Sequence, residues 1–127
     1  MSFPFDPSQG LIVIPTRLVG PLDHRYVHLA LDTGANLTIV DARILVSIGY
    51  DPLKVKQRVQ IITASGIEFC PCVTLKKIEA LDHARENFPI LAHTLPPSAS
   101  VDGVLGLDFM RRKKLTVDFR AGRVTLQ

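Results

Sequence analysis

Apolar residues along this chain come in short bursts separated by Gly, Pro, Asn or Asp. Bursts of about four to eight apolar positions bounded in this way read as strands. Residues 11–18, rich in Ile, Val and Leu, form one, and Val19-Gly20-Pro21-Leu22-Asp23 is a turn. Residues 26–31 form a second strand that runs into Asp32-Thr33-Gly34-Ala35, and residues 37–40 leave as a third. Asp41 is a good helix N-cap and Gly49 a good stop, so residues 42–48 make a short helix. Residues 55–62 and 67–75 pair as a hairpin around Thr63-Ala64-Ser65-Gly66. From 76 to 87 acids and bases mix without a clear period, which reads as a hairpin extension or a loop. Residues 88–92 are a short strand, and 95–100 a Pro- and Ser-rich loop. Val104-Leu105-Gly106 is another strand, and residues from 107 to about 113 can follow it as a short helix. Residues 115–119 and 124–126 flank a final turn. The start, residues 1–9, contains Pro and Ser and is expected to be frayed. The pattern predicts an all-β, closed barrel-like domain over 10–127 with one or two short helices.

Composition narrows the function classes. A chain of 127 residues fits one domain, and 46% hydrophobic residues provide a core and exclude disorder. Net charge is +3, with one dense basic run, Arg111-Arg112-Lys113-Lys114, which reads as a solvated helix end. Nucleic-acid binding needs a broader basic stripe with stacking aromatics, and aromatics are only 6% here. No apolar run approaches the ~20 residues that span a membrane. The opening Met-Ser-Phe-Pro-Phe-Asp-Pro has neither the basic nor the long apolar region of a secretory signal, so a cytoplasmic protein is expected. Cys70 and Cys72 read as reduced, structural thiols. No metal-ligand spacing and no cofactor motif is present. His24, His28, His83 and His93 form no visible triad with Ser or Cys, which argues against a serine or cysteine hydrolase.

The candidate chemistry lies in the aspartate loop. Alone, Asp-Thr-Gly reads equally well as a simple turn. Its flanks are unusual for an exposed turn, because His28-Leu29-Ala30-Leu31 precede it and Leu37-Thr38-Ile39-Val40 follow. A carboxylate set among apolar strands needs a partner or hydrogen bonds. A second segment, Val101-Asp102-Gly103-Val104-Leu105-Gly106-Leu107-Asp108-Phe109-Met110, joins a short apolar strand ending in Gly to a helix start. Glycine at such a place marks close backbone approach.

Together these segments resemble the retropepsin-like aspartic proteases, the single-domain, retroviral-type clan. The aspartate loop matches the catalytic loop of that family. The second segment is similar to its hydrophobic-Leu-Gly-x-Asp-Phe-Leu element, with Met110 in the last place. Thr63-Ala64-Ser65-Gly66 looks like the flap, and Leu115-Thr116-Val117-Asp118-Phe119 through Leu126 like the closing hairpin. The four matches keep the family's order over nearly the whole chain. Two positions depart from the retroviral pattern: Leu107 stands where an Arg follows the Gly, and Asn36 where an acid is common. That acid–Arg pair supports dimer contacts in retroviral enzymes, and its absence suggests a cellular or bacterial branch.

The resemblance implies a homodimeric aspartic endopeptidase acting on extended polypeptides. A single loop per chain means that two copies supply the two carboxylates, one Asp32 each. Like charges at short range share one proton, so one member activates a water and the other donates to the scissile carbonyl. Thr33 and Gly34 would support the loop. Ala35, Asn36, Ala64, Ser65, Gly66 and Val104 would contact substrate, with apolar pocket walls from Leu37, Ile39, Ile67 and Val104. Asp108 is expected to bond local backbone at the helix start. The alternative is a non-catalytic dimeric peptide-binding module of the same fold, gripping extended peptides by strand addition.

Overall fold

The computed structural model describes residues 1–63 and 66–127. Strand β1 is Ser2–Pro4, β2 Val13–Val19 and β3 His24–Leu31. The short strand β4, Ile39–Asp41, leads straight into helix α1, Ala42–Ser47. Then come β5 Arg58–Thr63, β6 Gly66–Ala80, β7 His83–His93 and β8 Gly103–Leu105. Helix α2 is Leu107–Met110, and β9 Leu115–Asp118 with β10 Arg123–Leu126 end the chain.

The strands pair in the order β2-β3-β8-β4-β7-β6, and β6 pairs back onto β2, so six strands close a barrel. Closure removes the edge strands that an open sheet leaves unpaired. β5 lies outside the ring and, among the described residues, pairs with the first half of β6. Two ladders are parallel, β3 with β8 and β4 with β7. β8 threads between β3 and β4, the two strands that flank the aspartate loop, parallel to β3 and antiparallel to β4. The barrel is filled by Leu18, Leu29, Leu75, Ile78, Ile90 and Leu105 from the strands, with Leu45 of α1 and Phe109 of α2. All are essentially inaccessible to water, so their burial supplies the main stabilising term.

Asp41 caps α1 as expected, its carboxylate accepting the Arg43 N–H, and Gly49 follows the helix end. Residues 76–87 prove to be a hairpin extension. β6 and β7 pair without slip down to Ala80 opposite His83, and Leu81 and Asp82 make the turn at φ 52° and 63°. Two central residues at positive φ match the right-handed twist of the strands. Leucine is uncommon there, and its burial at 4% exposure offsets the local strain.

Two expectations are corrected. Residues 2–4 are ordered as β1, which pairs with Arg123–Thr125 of β10 instead of fraying. Phe3 and Phe5 pack against the core, and Arg123 donates to the Ser2 carbonyl at 2.7 Å, so burial and hydrogen bonding hold the start in place. Helix α2 is one turn long and stops at Met110, short of residue 113. Arg85 on β7 takes its terminal carbonyls, donating to Phe109 at 2.9 Å and Arg111 at 2.6 Å. Arg112 then turns away at φ 63°, so the basic run lies in a surface turn.

Candidate active site

Asp32 is the first residue after β3, where the chain leaves the barrel wall. Its N–H donates to the Leu105 carbonyl of β8 at 3.0 Å, which pins the loop to the threaded strand. Its own carbonyl accepts the Ala35 N–H at 3.2 Å and closes a tight turn. Oδ1 of the half-buried side chain accepts the Gly34 N–H at 2.9 Å. A Cβ on residue 34 would stand 3.2 Å from that oxygen, so glycine keeps the carboxylate uncrowded. The turn therefore orients a carboxylate by a backbone amide and leaves it open to a reactant.

The second half of the loop is held by the strand–helix element. Leu107 N–H donates to the Ala35 carbonyl at 2.8 Å. Gly106 N–H donates to Thr38 Oγ1 at 3.1 Å. Thr38, with no exposed surface, donates twice to Asp108: its N–H to Oδ2 at 2.9 Å and its hydroxyl to Oδ1 at 2.7 Å. Oδ1 also accepts the Phe109 N–H at 2.9 Å. Asp108 thus bonds the backbone of the first helical turn, as expected, and in addition clamps the aspartate loop from the neighbouring strand–helix element. Gly106 lets the two backbones meet, since a Cβ there would come within 2.8 Å of the Ala35 and Leu37 carbonyl oxygens.

A cavity of about 460 Å³ lies between this loop and the outer strand β5. Ala35, Asn36, Leu37 and Ile39 form one wall, Gln60, Ile61 and Ile62 the other, and Leu91 and His93 of β7 complete it. The structure thus brings Ala35 and Asn36 together with Leu37 and Ile39. Thr33 and Gly34 are exposed beside Asp32. Val104 lies half-buried in the ladder between Ala30 and Ile39, outside this cavity's lining. Gly66 opens β6 and Ile67 follows it, exposed. Ala64 and Ser65 lie outside the described residues.

Both cysteines are free thiols. Burial pushes the Cys70 thiol up, the Glu68 charge adds to this, and Arg58 opposes it. Burial also raises Cys72. Such thiols keep their protons and make poor nucleophiles. Cys70 nevertheless has a neighbour that chain order concealed: its Sγ lies 3.6 Å from His93 Nδ1.

The profile of a family described as aspartyl protease matches residues 17–109. The chain belongs to the aspartyl protease family. Among solved structures, this aspartyl protease is similar to a retropepsin-like aspartic protease from Rickettsia conorii. The TM-score is 0.74 at 18% identity, over 99% of this chain and 89% of that one. At that identity the likeness is one of fold, and the fold is retropepsin-like. No curated protein matches the chain in sequence. Family and fold together give it a protease-type function.

Proposed function

We propose that the protein is a homodimeric aspartic endopeptidase that hydrolyses peptide bonds in extended polypeptides. One observation carries the reading: a single Asp-Thr-Gly turn, its carboxylate oriented by the Gly34 amide, stands beside an apolar cleft. Acid–base hydrolysis through paired carboxylates needs two of them, and each chain has one such loop, so a second copy completes the site across a two-fold axis.

At that axis two Asp32 carboxylates repel if both are charged, so the pair holds one proton. The ionised member takes a proton from a water held between them, and that water attacks the scissile carbonyl. The protonated member donates to the carbonyl oxygen as it gains charge. The tetrahedral diol then collapses with release of the amine, and no covalent enzyme intermediate forms. Thr33, exposed next to Asp32, would support the partner's loop through its hydroxyl. The outer edge of β5 pairs with no strand among the described residues, and it supports the extended form of the substrate. A peptide laid there gains main-chain hydrogen bonds by strand addition. Its side chains would meet Leu37, Ile39 and Ile62 in the cleft, which favours apolar residues flanking the cut bond.

The test compares wild type with Asp32→Asn on a random peptide library between pH 3 and 9, with sedimentation at micromolar concentration. Expected are a species of twice the chain mass, a bell-shaped pH profile with its optimum on the acid side of neutral, and cleavage reduced by at least about 100-fold in the variant. Retained cleavage in the folded variant would refute the role of Asp32. Peptide binding without cleavage would favour the non-catalytic reading.

A further inference from the structure

Strand β6 changes partners midway. From Cys72 to Ala80 it is laddered to β7, and from Gly66 to Pro71 it pairs instead with β5. The outer half of β6 and all of β5 thus form an arm that leaves the barrel where Cys72 faces Leu91. Just beyond that last rung stands His93, the final residue of β7. Both of its ring nitrogens face the arm. Nδ1 lies 3.6 Å from the Cys70 thiol and Nε2 lies 3.7 Å from the Glu68 carboxylate. The partners select a tautomer: Nε2–H toward the carboxylate leaves Nδ1 to accept from the protonated thiol.

The place of this contact gives it a consequence. His93 lines the substrate cleft, with Ile39 and Leu91 from the barrel and Gln60, Ile61 and Ile62 from the arm. It also lines a second cavity of about 540 Å³, with Arg58 and Phe69 of the arm. A histidine serving only to fill the core would be buried, whereas 31% of this side chain is exposed. Its ring is anchored on the rigid wall, and β4 holds its backbone from the other side, with Asp41 opposite it in the parallel ladder. The cleft width is the distance between that wall and β5, and His93 ties the wall to β6, the strand on which β5 is laddered, at the fork.

We propose that His93 is a positioning residue for substrate: held to Cys70 and Glu68, it fixes the angle at which the β5–β6 arm stands over the aspartate loop. This rests on the reading of the cleft as a peptide-binding site. Glu68 is the partner that orients the imidazole, and Cys70 seats it at the fork. Loss of either link frees the arm and leaves the barrel and Asp32 untouched.

Hydrogen–deuterium exchange on the full chain tests this, with wild type, Glu68→Gln, His93→Gln and the double variant at one pH and concentration. Amides in 58–62 and 66–71 should exchange about two- to fivefold faster in each single variant, the size of one weak, partly exposed polar contact. The double variant should be no faster than the worse single one, because both remove the same link. Amides in 72–80 should keep their protection. Unchanged arm exchange in both single variants overturns the proposal, and so does an equal rise across 72–80, which marks general loosening. Peptide cleavage is read separately: Glu68→Gln should raise KM by a similar factor at unchanged kcat, and a fall in kcat at fixed KM overturns the proposal. A wild type that cleaves nothing counts against the protease reading, while the exchange result still decides the role of His93.

Discussion

Asp108→Ala should destabilise this protein more than any other change to an exposed or half-buried acid. The carboxylate accepts three hydrogen bonds, two of them from Thr38, which has no exposed surface. Alanine leaves the Thr38 N–H and hydroxyl facing a gap. A buried donor without an acceptor costs about 1–3 kcal/mol, so two give roughly 2–6 kcal/mol. That is a large share of the ~5–15 kcal/mol that holds a typical domain together. Asp108→Asn should be milder. Its carbonyl oxygen can take one donor, and its amide can donate to the Thr38 hydroxyl, whose oxygen has a second lone pair. One buried donor is still orphaned, the Thr38 N–H or the Thr38 hydroxyl, at about 1–3 kcal/mol, while the Phe109 N–H keeps the Gly106 carbonyl at 3.3 Å. Urea unfolding of wild type and both variants at fixed protein concentration measures the order, and fixed concentration matters wherever subunits associate. Thr38→Val completes a double-mutant cycle. Because Thr38 and Asp108 share bonds, Asp108→Ala combined with Thr38→Val should add clearly less to the cost than Asp108→Ala does in wild type. Asp108→Ala within about 0.5 kcal/mol of wild type, or strict additivity with Thr38→Val, would refute the clamp.

Further outcomes follow from the same geometry. Gly106→Ala brings a Cβ within 2.8 Å of two loop carbonyl oxygens, so thermal unfolding should report a loss of about 1–3 kcal/mol, with a fall in cleavage that outruns the loss of folded protein. Asp32→Asn should leave stability within about 1 kcal/mol, because the asparagine oxygen can still accept the Gly34 N–H, and a far-UV melt checks this. The Asp41 carboxyl is held below the usual carboxylate range, chiefly by the Arg43 side chain, with burial opposing. Its folded value is depressed, so its stabilisation is complete above the ordinary carboxylate value near ~4 and is lost as pH falls through the lowered one. Asp41→Asn should therefore flatten the acid limb of a stability–pH curve, and an unchanged limb would assign acid unfolding to other groups.

The aspartate loop, helix α1 and most strands were legible because each announces itself locally. Asp41 and Gly49 bracket α1, and apolar bursts mark the barrel strands. What stayed hidden depends on contacts between distant residues. The turn at Leu81-Asp82 has no glycine or asparagine to signal it, since a buried leucine is forced into the left-handed region by the ladder on either side. Helix α2 ends early because Arg85, from another strand, takes its carbonyls. Thr38, missed in the site, and the second role of Asp108 share this logic. Thr38 is the lone polar residue in Leu37-Thr38-Ile39-Val40, and in a sequence that reads as a gap in an apolar strand. In the folded chain its hydroxyl both accepts from Gly106 and donates to Asp108, 70 positions on. A polar residue inside an apolar burst must find a buried partner, so Thr38 was a signal that a second polar group would arrive from elsewhere, and Asp108, an acid amid an apolar element, was the matching one. Cys70, His93 and Glu68 offered no such cue, because only the pairing of β6 with β7 brings residues 23 and 25 apart to one fork. Chemistry set by one turn can be read from neighbours in sequence, and chemistry set by how strands pair becomes visible only when the register is known.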